Sequence, residues 1–283
     1  MTNAPEPRRC AVVGRPIAHS RSPEIHRAFA AQVGIALVYD RVEAAEDAFA
    51  ATLARLRDTG AVGCNVTLPF KFEACRLASR VSGRAALAGA CNALRPLAGG
   101  GWEGDNTDGA GLVRDIEVNA GRPLAGRRVL LVGAGGSAAG VLGPLVASGA
   151  RAVVVANRSV ERAERLVDAW RNGGHDGTTV SAASLDGCGA AFDVVVNATA
   201  SSVSGAPVPV DARVLAPGAL AVDLMYGAAA RPFLAWAAAH GASGRDGLGM
   251  LVEQAADAFA FFHGPQPDTR PVLAALRAKV DAA

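Results

Sequence analysis

Short apolar runs alternate with amphipathic stretches through the first hundred residues, and that alternation predicts strands and helices in turn. Cys10-Ala-Val-Val-Gly14 is an uninterrupted apolar run closed by glycine, the pattern of a buried strand. A polar segment, Arg15 to His26, follows. Within it Ser22-Pro23 pairs a residue suited to capping with one suited to a first helical turn, so a helix is expected over 23–33. A second strand is expected over 37–42 and a third over 61–66. Between them a helix over 45–59 carries Phe49, Leu53 and Leu56 at helical spacing. The chain then enters a Gly/Pro-bounded turn carrying Lys71, with a helix expected from there to residue 81. This order implies a parallel α/β sheet.

From 90 to 107 the pattern turns loop-rich, and Gly99-Gly-Gly101 reads as a hairpin tip between two short strands. A helix over 108–120 opens a second region. There, a branched strand over 127–132 runs straight into Gly133-Ala134-Gly135-Gly136-Ser137-Ala138 and an apolar helix to 148. That is the dinucleotide fingerprint in its required context, strand before and helix after. Its glycines permit a tight turn and let backbone N–H groups approach a pyrophosphate at the helix N-terminus. The next strand, 152–156, ends in Asn157-Arg158-Ser159-Val-Glu-Arg162. An NAD site places an acid here for the ribose hydroxyl, whereas two guanidinium groups and a hydroxyl suit a 2′-phosphate. NADP is the expected cofactor.

Further strands are expected over 192–197 and 219–224, so that Asn197 and Leu224 to Tyr226 border the cofactor at the strands' carboxyl ends. Asp246-Gly247-Leu-Gly249-Met250 reads as a glycine-bearing turn. An apolar helix over 251–263 then carries the polar pair Glu253-Gln254, and a last helix covers 270–282. The segment 172–175 is expected to be a loop with His175 exposed.

A length of 283 residues accommodates two domains. With 51% hydrophobic and 19% charged residues the chain reads as a globular enzyme, and a net charge of +2 without a basic stripe excludes nucleic acid as a partner. Five scattered cysteines (10, 64, 75, 91 and 188) form no C-x-x-C and read as reduced, mostly buried thiols. The histidines show no metal spacing, no metal is expected, and His26 is read as structural. No apolar run has the length of a membrane span or a signal-peptide core, so a cytoplasmic location is expected. One count changes the picture. Of 28 basic residues only Lys71 and Lys279 are lysines. Arginine does not release its proton in a protein but an ammonium does, which marks Lys71, beside Asn65 and Thr67, as a candidate proton carrier.

Ser20-Arg-Ser22-Pro-x-x-His26, Gly63-Cys-Asn65-Val-Thr67-x-Pro-x-Lys71, Asn92, Asn106-Thr107-Asp108-Gly, Gly133-Ala-Gly135-Gly136, Asn157-Arg158-Ser159 and Gly249-Met250-Leu-x-x-Gln254 follow one another along almost the whole chain. In this the sequence resembles the shikimate dehydrogenase family. The resemblance implies NADPH-dependent reduction of 3-dehydroshikimate to shikimate, a step towards chorismate and the aromatic amino acids. It implies a two-lobed α/β fold: a substrate domain, residues 1–106, completed by 247–283, and an NADP-binding Rossmann domain, residues 107–246. The active site would lie in the interdomain cleft, in a monomer or homodimer.

The resemblance further implies that Lys71 and Asp108 form the acid/base pair. Ser20 and Ser22 would hold the substrate carboxylate, and Asn65, Thr67, Asn92 and Gln254 the ring hydroxyls, with Tyr226 near the substrate. Gly133 to Ser137, Asn157 to Ser159 and Arg162 would hold NADP, with Leu224 and Gly247 near the nicotinamide. Two departures stand out: Ala93 occupies a position where the family usually has threonine, and Ala200-Ser-Ser-Val-Ser-Gly205 delays the usual Gly-bearing turn. The alternatives left open are a quinate or aminoshikimate dehydrogenase of the same family, and a non-catalytic NADP(H) or ligand sensor.

Overall fold

The computed structural model describes residues 6–172 and 179–282, so His175 lies outside the described residues. The chain divides into two compact units, residues 1–107 with 252–275 and residues 108–251 with 276–283.

The first unit holds β1 (Arg8–Gly14), α1 (Ser22–Gln32), β2 (Leu37–Glu43), α2 (Phe49–Asp58), β3 (Ala61–Val66), α3 (Lys71–Leu77), β4 (Arg80–Val81), α4 (Gly83–Ala88), β5 (Ala93–Pro96) and β6 (Trp102–Asp105). Its sheet runs β2-β1-β3-β5-β6-β4. The three leading strands are parallel as expected, but β5 is antiparallel to both β3 and β6, so the sheet is mixed. The β5–β6 hairpin turns through Gly100 and Gly101, both at positive φ. Strand alternation splits the core in two. Ala11, Val13, Cys64, Val66 and Leu94 pack with Phe49, Phe70 and Trp102 on one face, while Cys10, Val12 and Tyr39 pack on the other.

Two expectations for this unit need correction. Ser22 does not cap α1: Arg21 holds that position without a side-chain bond, its carbonyl accepting the N–H of Ile25 at 3.1 Å, and Ser22 is already the first helical residue. The helix from Lys71 stops at Leu77 rather than 81. Ser79 and Ser82 donate their N–H groups to the carbonyls of Trp102 and Gly104 instead, which makes 80–81 a strand, and Ser82 then caps α4 through Ala85 N–H.

The second unit holds α5 (Asp108–Arg114), β7 (Arg128–Val132), α6 (Gly136–Ala147), β8 (Ala152–Ala156), α7 (Val160–Asn172), β9 (Thr179–Ala183), β10 (Phe192–Asn197), α8 (Ser201–Ser204), β11 (Leu215–Asp223), α9 (Arg231–Ala239) and β12 (Ser243–Arg245). The expected helix over 108–120 is α-helical only to Arg114 and continues as a π-helical turn, Asp115–Asn119. Asn172, expected in a loop, ends α7. All six strands are parallel in the order β12-β11-β10-β7-β8-β9. Numbered within the unit this is the doubly wound order 3-2-1-4-5-6, whose switch point lies between β7 and β10.

Two helices, α10 (Leu248–His263) and α11 (Thr269–Asp281), end the chain. The expected turn over 246–250 is instead a helix start. Asp246 Oδ1 accepts the N–H of Leu248 at 3.3 Å, and its carboxylate is clamped by Arg277 at 2.5 and 2.9 Å, so the helix begins despite two glycines. No described helix is long and apolar enough to cross a membrane.

Candidate active site

In the first unit, β1, β3 and β5 bring polar side chains to one region. Ser20 and Ser22 are both buried, and Ser20 Oγ donates to Ser22 Oγ at 3.2 Å. Arg41 on β2 holds this loop by donating twice to the carbonyl of Ser20, at 2.6 and 2.8 Å. Thr67, half-buried, follows β3 and is anchored by its N–H to the carbonyl of Val13. Gly14 leaves room for the Thr67 methyl, which a β-carbon there would overlap.

Asn65, Asn92, Thr107 and Gln254 form one hydrogen-bonded cluster. Asn65 Nδ2 donates to the carbonyl of Asn92 at 3.2 Å, and its Oδ1 accepts from the phenol of Tyr39 at 2.7 Å. Asn92 Nδ2 donates to Thr107 Oγ1 at 2.8 Å and to Gln254 Oε1 at 3.0 Å, while its Oδ1 accepts Thr107 N–H at 2.8 Å. Thr107 Oγ1 also donates to Gln254, at 3.3 Å. Asn106 closes the region from behind through Nδ2 to the carbonyl of Ala90. Ala93 pairs with Asn65 and Asp105 across the sheet and is fully buried on their face.

Lys71 is the first residue of α3, not a turn residue, and its side chain is buried. Asp108 belongs to the second unit, where it opens α5 and is also buried. Gly109 beside it is required by close packing, since a β-carbon would overlap Pro144 of α6. His26 is structural, as expected. Its ring is fully buried and stacks on Tyr39 at 4.4 Å, neither nitrogen has a hydrogen-bonding partner, and burial pushes its pKa down to about 3. The described cysteines are free and four of the five are buried; burial pushes the Cys64 thiol up.

In the second unit the fingerprint has a backbone geometry that could hold a pyrophosphate. Gly133 has φ 113°, and a β-carbon on it would press on the Ala198 backbone at 3.1 Å. Gly135 caps α6 without a side-chain bond, so the first-turn N–H groups point out of the helix, and a β-carbon at 135 would meet nothing. Ala134 and Ser137 flank it, half-buried. After β8, Arg158 and Arg162 are exposed, Asn157 Nδ2 donates to the carbonyl of Ser159, and Ser159 directs its hydroxyl to Glu161 at 2.6 Å. These groups fit a 2′-phosphate, with Ser159 already engaged.

The ends of β10 and β11 are tied together. Asn197 Nδ2 reaches Ser202 and Asp223, both at 3.2 Å, Ser202 donates to Asp223, and burial raises the Asp223 pKa. Leu224 N–H bonds the Asn197 carbonyl, and Gly247 N–H bonds that of Met225 at 2.8 Å. A β-carbon at Gly247 would overlap the Leu224 carbonyl, which explains the glycine. Tyr226 lies in this unit, half-buried.

Three family models match the chain in sequence order. A shikimate dehydrogenase substrate-binding domain covers residues 12–94, a shikimate/quinate 5-dehydrogenase model covers 117–205, and a shikimate 5′-dehydrogenase C-terminal domain covers 247–277. The chain belongs to the shikimate dehydrogenase family. It is 58% identical to a shikimate dehydrogenase (NADP(+)) of Methylibium petroleiphilum, over 97% of this chain and 96% of that one. Its fold is similar to an Ael1 enzyme from Pseudomonas putida, at 44% identity and TM-score 0.86, covering 95% and 98% of the two chains. A shikimate 5-dehydrogenase from Thermus thermophilus, in complex with NADP(H) and shikimate, matches at 31% identity and TM-score 0.81, over 96% and 99%. The α/β fold read from the sequence is the fold of these relatives.

Sequence reasoning missed two residues of the first cluster. Tyr39 carried a readable signal, the one inward aromatic of β2, but its bond to Asn65 spans 26 residues. Arg41 carried none, since an arginine on an edge strand reads as solvated.

Proposed function

We propose that the chain is an NADP-dependent shikimate dehydrogenase, interconverting 3-dehydroshikimate and shikimate on the route to chorismate. The observation that carries the reading is the joint presence of the Asn65–Asn92–Thr107–Gln254 cluster with Lys71 in one unit and, in the other, the glycine fingerprint with Asn157-Arg158 directly after β8.

In this reading bound NADPH supplies the hydride that the ring carbonyl accepts. The oxygen that receives negative charge takes a proton from the Lys71/Asp108 pair, which recovers it in the reverse direction. Ser20 and Ser22 orient the ring through its carboxylate, a role their shared hydroxyl bond pre-organises. Asn65, Thr67, Asn92 and Gln254 hold the ring oxygens, and Tyr226 completes the substrate contacts. Gly133 to Ser137 take the pyrophosphate, Asn157, Arg158, Ser159 and Arg162 the 2′-phosphate, and Leu224 and Gly247 flank the nicotinamide. The substrate-binding role falls to residues 1–106 with 247–283, and the nucleotide-binding role to 107–246.

The test is the initial rate of oxidation of shikimate and of quinate, each with NADP and with NAD. Fast turnover with shikimate and NADP alone is expected. Preference for quinate with NAD would replace the reading with its sister activity, and tight NADPH binding without turnover would make the chain a sensor.

A further inference from the structure

We propose that Cys75 and Cys91 are a modification site, a thiol pair that a hydroperoxide oxidises to a disulfide and that lies against the backbone carrying Lys71 and Asn92. The inference goes beyond the proposed function, because the bond forms or fails to form whatever the chain turns over.

Lys71 and Cys75 of α3 and its capping residue Ala78 follow one another at spacings of four and three, so they share one face. Cys91 touches both ends of that stripe. Its N–H donates to the carbonyl of Lys71 at 2.9 Å, the carbonyl that in an α-helix also faces the N–H of Cys75. Its Sγ lies towards the other end, where a β-carbon on Gly104 would meet it at 2.5 Å and Ala78 Cβ at 3.2 Å. Cys75 stands between these two contacts and packs on the core cluster that contains Cys91. The Cys91 thiol donates a hydrogen bond to its sulfur. The two backbones thus meet at one oxygen and the sulfurs at one hydrogen bond, the approach that a disulfide needs. A second contact of Cys75 Sγ, to the carbonyl of Ala85 at 3.9 Å, is too long to hold it.

The two thiols have unlike surroundings. Cys75 is the one cysteine of the five that is not buried. The bond from Cys91, and then the neighbouring Arg76, lower its pKa to about 7 against the effect of burial. The same bond and burial push the Cys91 thiol up, and burial does so for Cys10, Cys64 and Cys188. The thiolate is the nucleophile, so Cys75 reacts first. It attacks one oxygen of hydrogen peroxide, the O–O bond breaks, hydroxide leaves and Cys75 becomes a sulfenic acid. The Cys91 sulfur then displaces the sulfenic oxygen, which departs as water with the Cys91 proton as the S–S bond forms. Two thiols and one peroxide give one disulfide and two waters; each sulfur loses one electron and each peroxide oxygen gains one.

The new bond draws the sulfurs to about 2.05 Å, well inside a hydrogen bond between thiols. Residue 91 and the middle of α3 must shift to allow it, and Asn92 and Lys71 shift with them. A misplacement of about 1 Å in such a frame can cost about 10²-fold in rate, so oxidation is expected to lower turnover.

The test treats the reduced full-length chain with hydrogen peroxide, alkylates the remaining thiols and maps the tryptic peptides by mass spectrometry. Arg76, Arg80 and Arg84 put the two cysteines on separate peptides. A disulfide between Cys75 and Cys91, with the other thiols alkylated, is expected. Shikimate oxidation with NADP should fall at least about tenfold and return with dithiothreitol. Cys75→Ser should keep its turnover within about twofold and resist peroxide. Cys91→Ala is the second arm should Cys75→Ser not fold: Cys75 then lacks its resolving partner, and dimedone should trap its sulfenic acid. Intact thiols in the wild type, or a disulfide between another pair, would overturn the assignment. A disulfide between Cys75 and Cys91 with turnover unchanged overturns its link to Lys71 and Asn92. A chain inactive even when reduced refutes the proposed function instead, and the peptide map still decides this inference.

Discussion

The carbonyl of Lys71 accepts the main-chain N–H of Cys91 at 2.9 Å. That bond ties the first residue of α3 to the residue next to Asn92, so the buried ammonium-bearing residue and the amide cluster share one backbone frame. Apart from Lys279 every other basic residue counted is arginine, and lysine here fits a requirement for a proton that can leave. Lys71→Ala is expected to lower kcat by about 10²- to 10⁴-fold, the usual worth of a positioned acid/base group. NADPH affinity, measured by fluorescence titration, should stay within about twofold, because uniform binding is untouched. Near-normal turnover would remove the lysine from the chemistry.

Arg158 follows β8 directly after Asn157, and the neighbouring Ser159 hydroxyl is occupied by Glu161. On the proposed reading the guanidinium carries the discrimination for the 2′-phosphate largely without that hydroxyl. Arg158→Ala is expected to raise KM for NADP at least about tenfold and leave KM for NAD nearly unchanged, because a charge-assisted bond is lost with one cofactor only. Parallel steady-state titrations of the two cofactors decide it; equal effects on both would sink the assignment.

Much of this was legible in the sequence where a local rule and the tertiary structure agree. Strands β3 and β8 lie at the residues their apolar runs predicted, and the fingerprint sits between strand and helix as its glycines require. The misses come from partners distant in sequence. The 71–81 helix fails because β6 competes for the backbone of Ser79 and Ser82. The 246–250 segment reads as a turn by propensity, yet Arg277 and the Asp246 cap make it a helix start. Asn65, Asn92, Thr107 and Gln254 were visible as motif residues. The orientation of their amides was not, because it depends on which backbone groups face them.

His26 gives the protein an acid-side weakness. Burial, with His263 nearby, holds its pKa at about 3, below the ordinary 6.5, so the proton binds the unfolded chain more readily than the folded one. Stability is therefore complete above pH 6.5 and falls as pH drops from 6.5 towards 3, by at most about 1.4 kcal/mol per pH unit from this group. His263, lowered to about 4 by burial, acts in the same direction. Burial raises the Asp105 and Asp246 carboxylates but their arginine partners lower them further, so both shifts matter only at more acid pH. Urea unfolding at pH 7 and pH 5 should show a loss of about 2 kcal/mol from His26. His26→Phe should shrink that difference, and a stability equal at both pH values would contradict the buried neutral imidazole.

Gly249 is a glycine for a reason that lies 134 residues away. A β-carbon there would overlap Asp115 Oδ1, whose buried carboxylate receives two bonds from Arg245, at 2.5 and 2.6 Å. Neither partner can yield cheaply, because moving the carboxylate breaks a buried ion pair. Gly249→Ala is expected to cost about 3 kcal/mol or more in chemical denaturation, despite the better helix propensity of alanine. Asp115→Ala is destabilising by itself, since it strands Arg245, but it also empties the space a methyl group at 249 would need. In the double variant the two costs should sum to clearly less than their separate values, by about 1 kcal/mol or more. Strict additivity would mean that the carboxylate is not what excludes a side chain from this turn of α10.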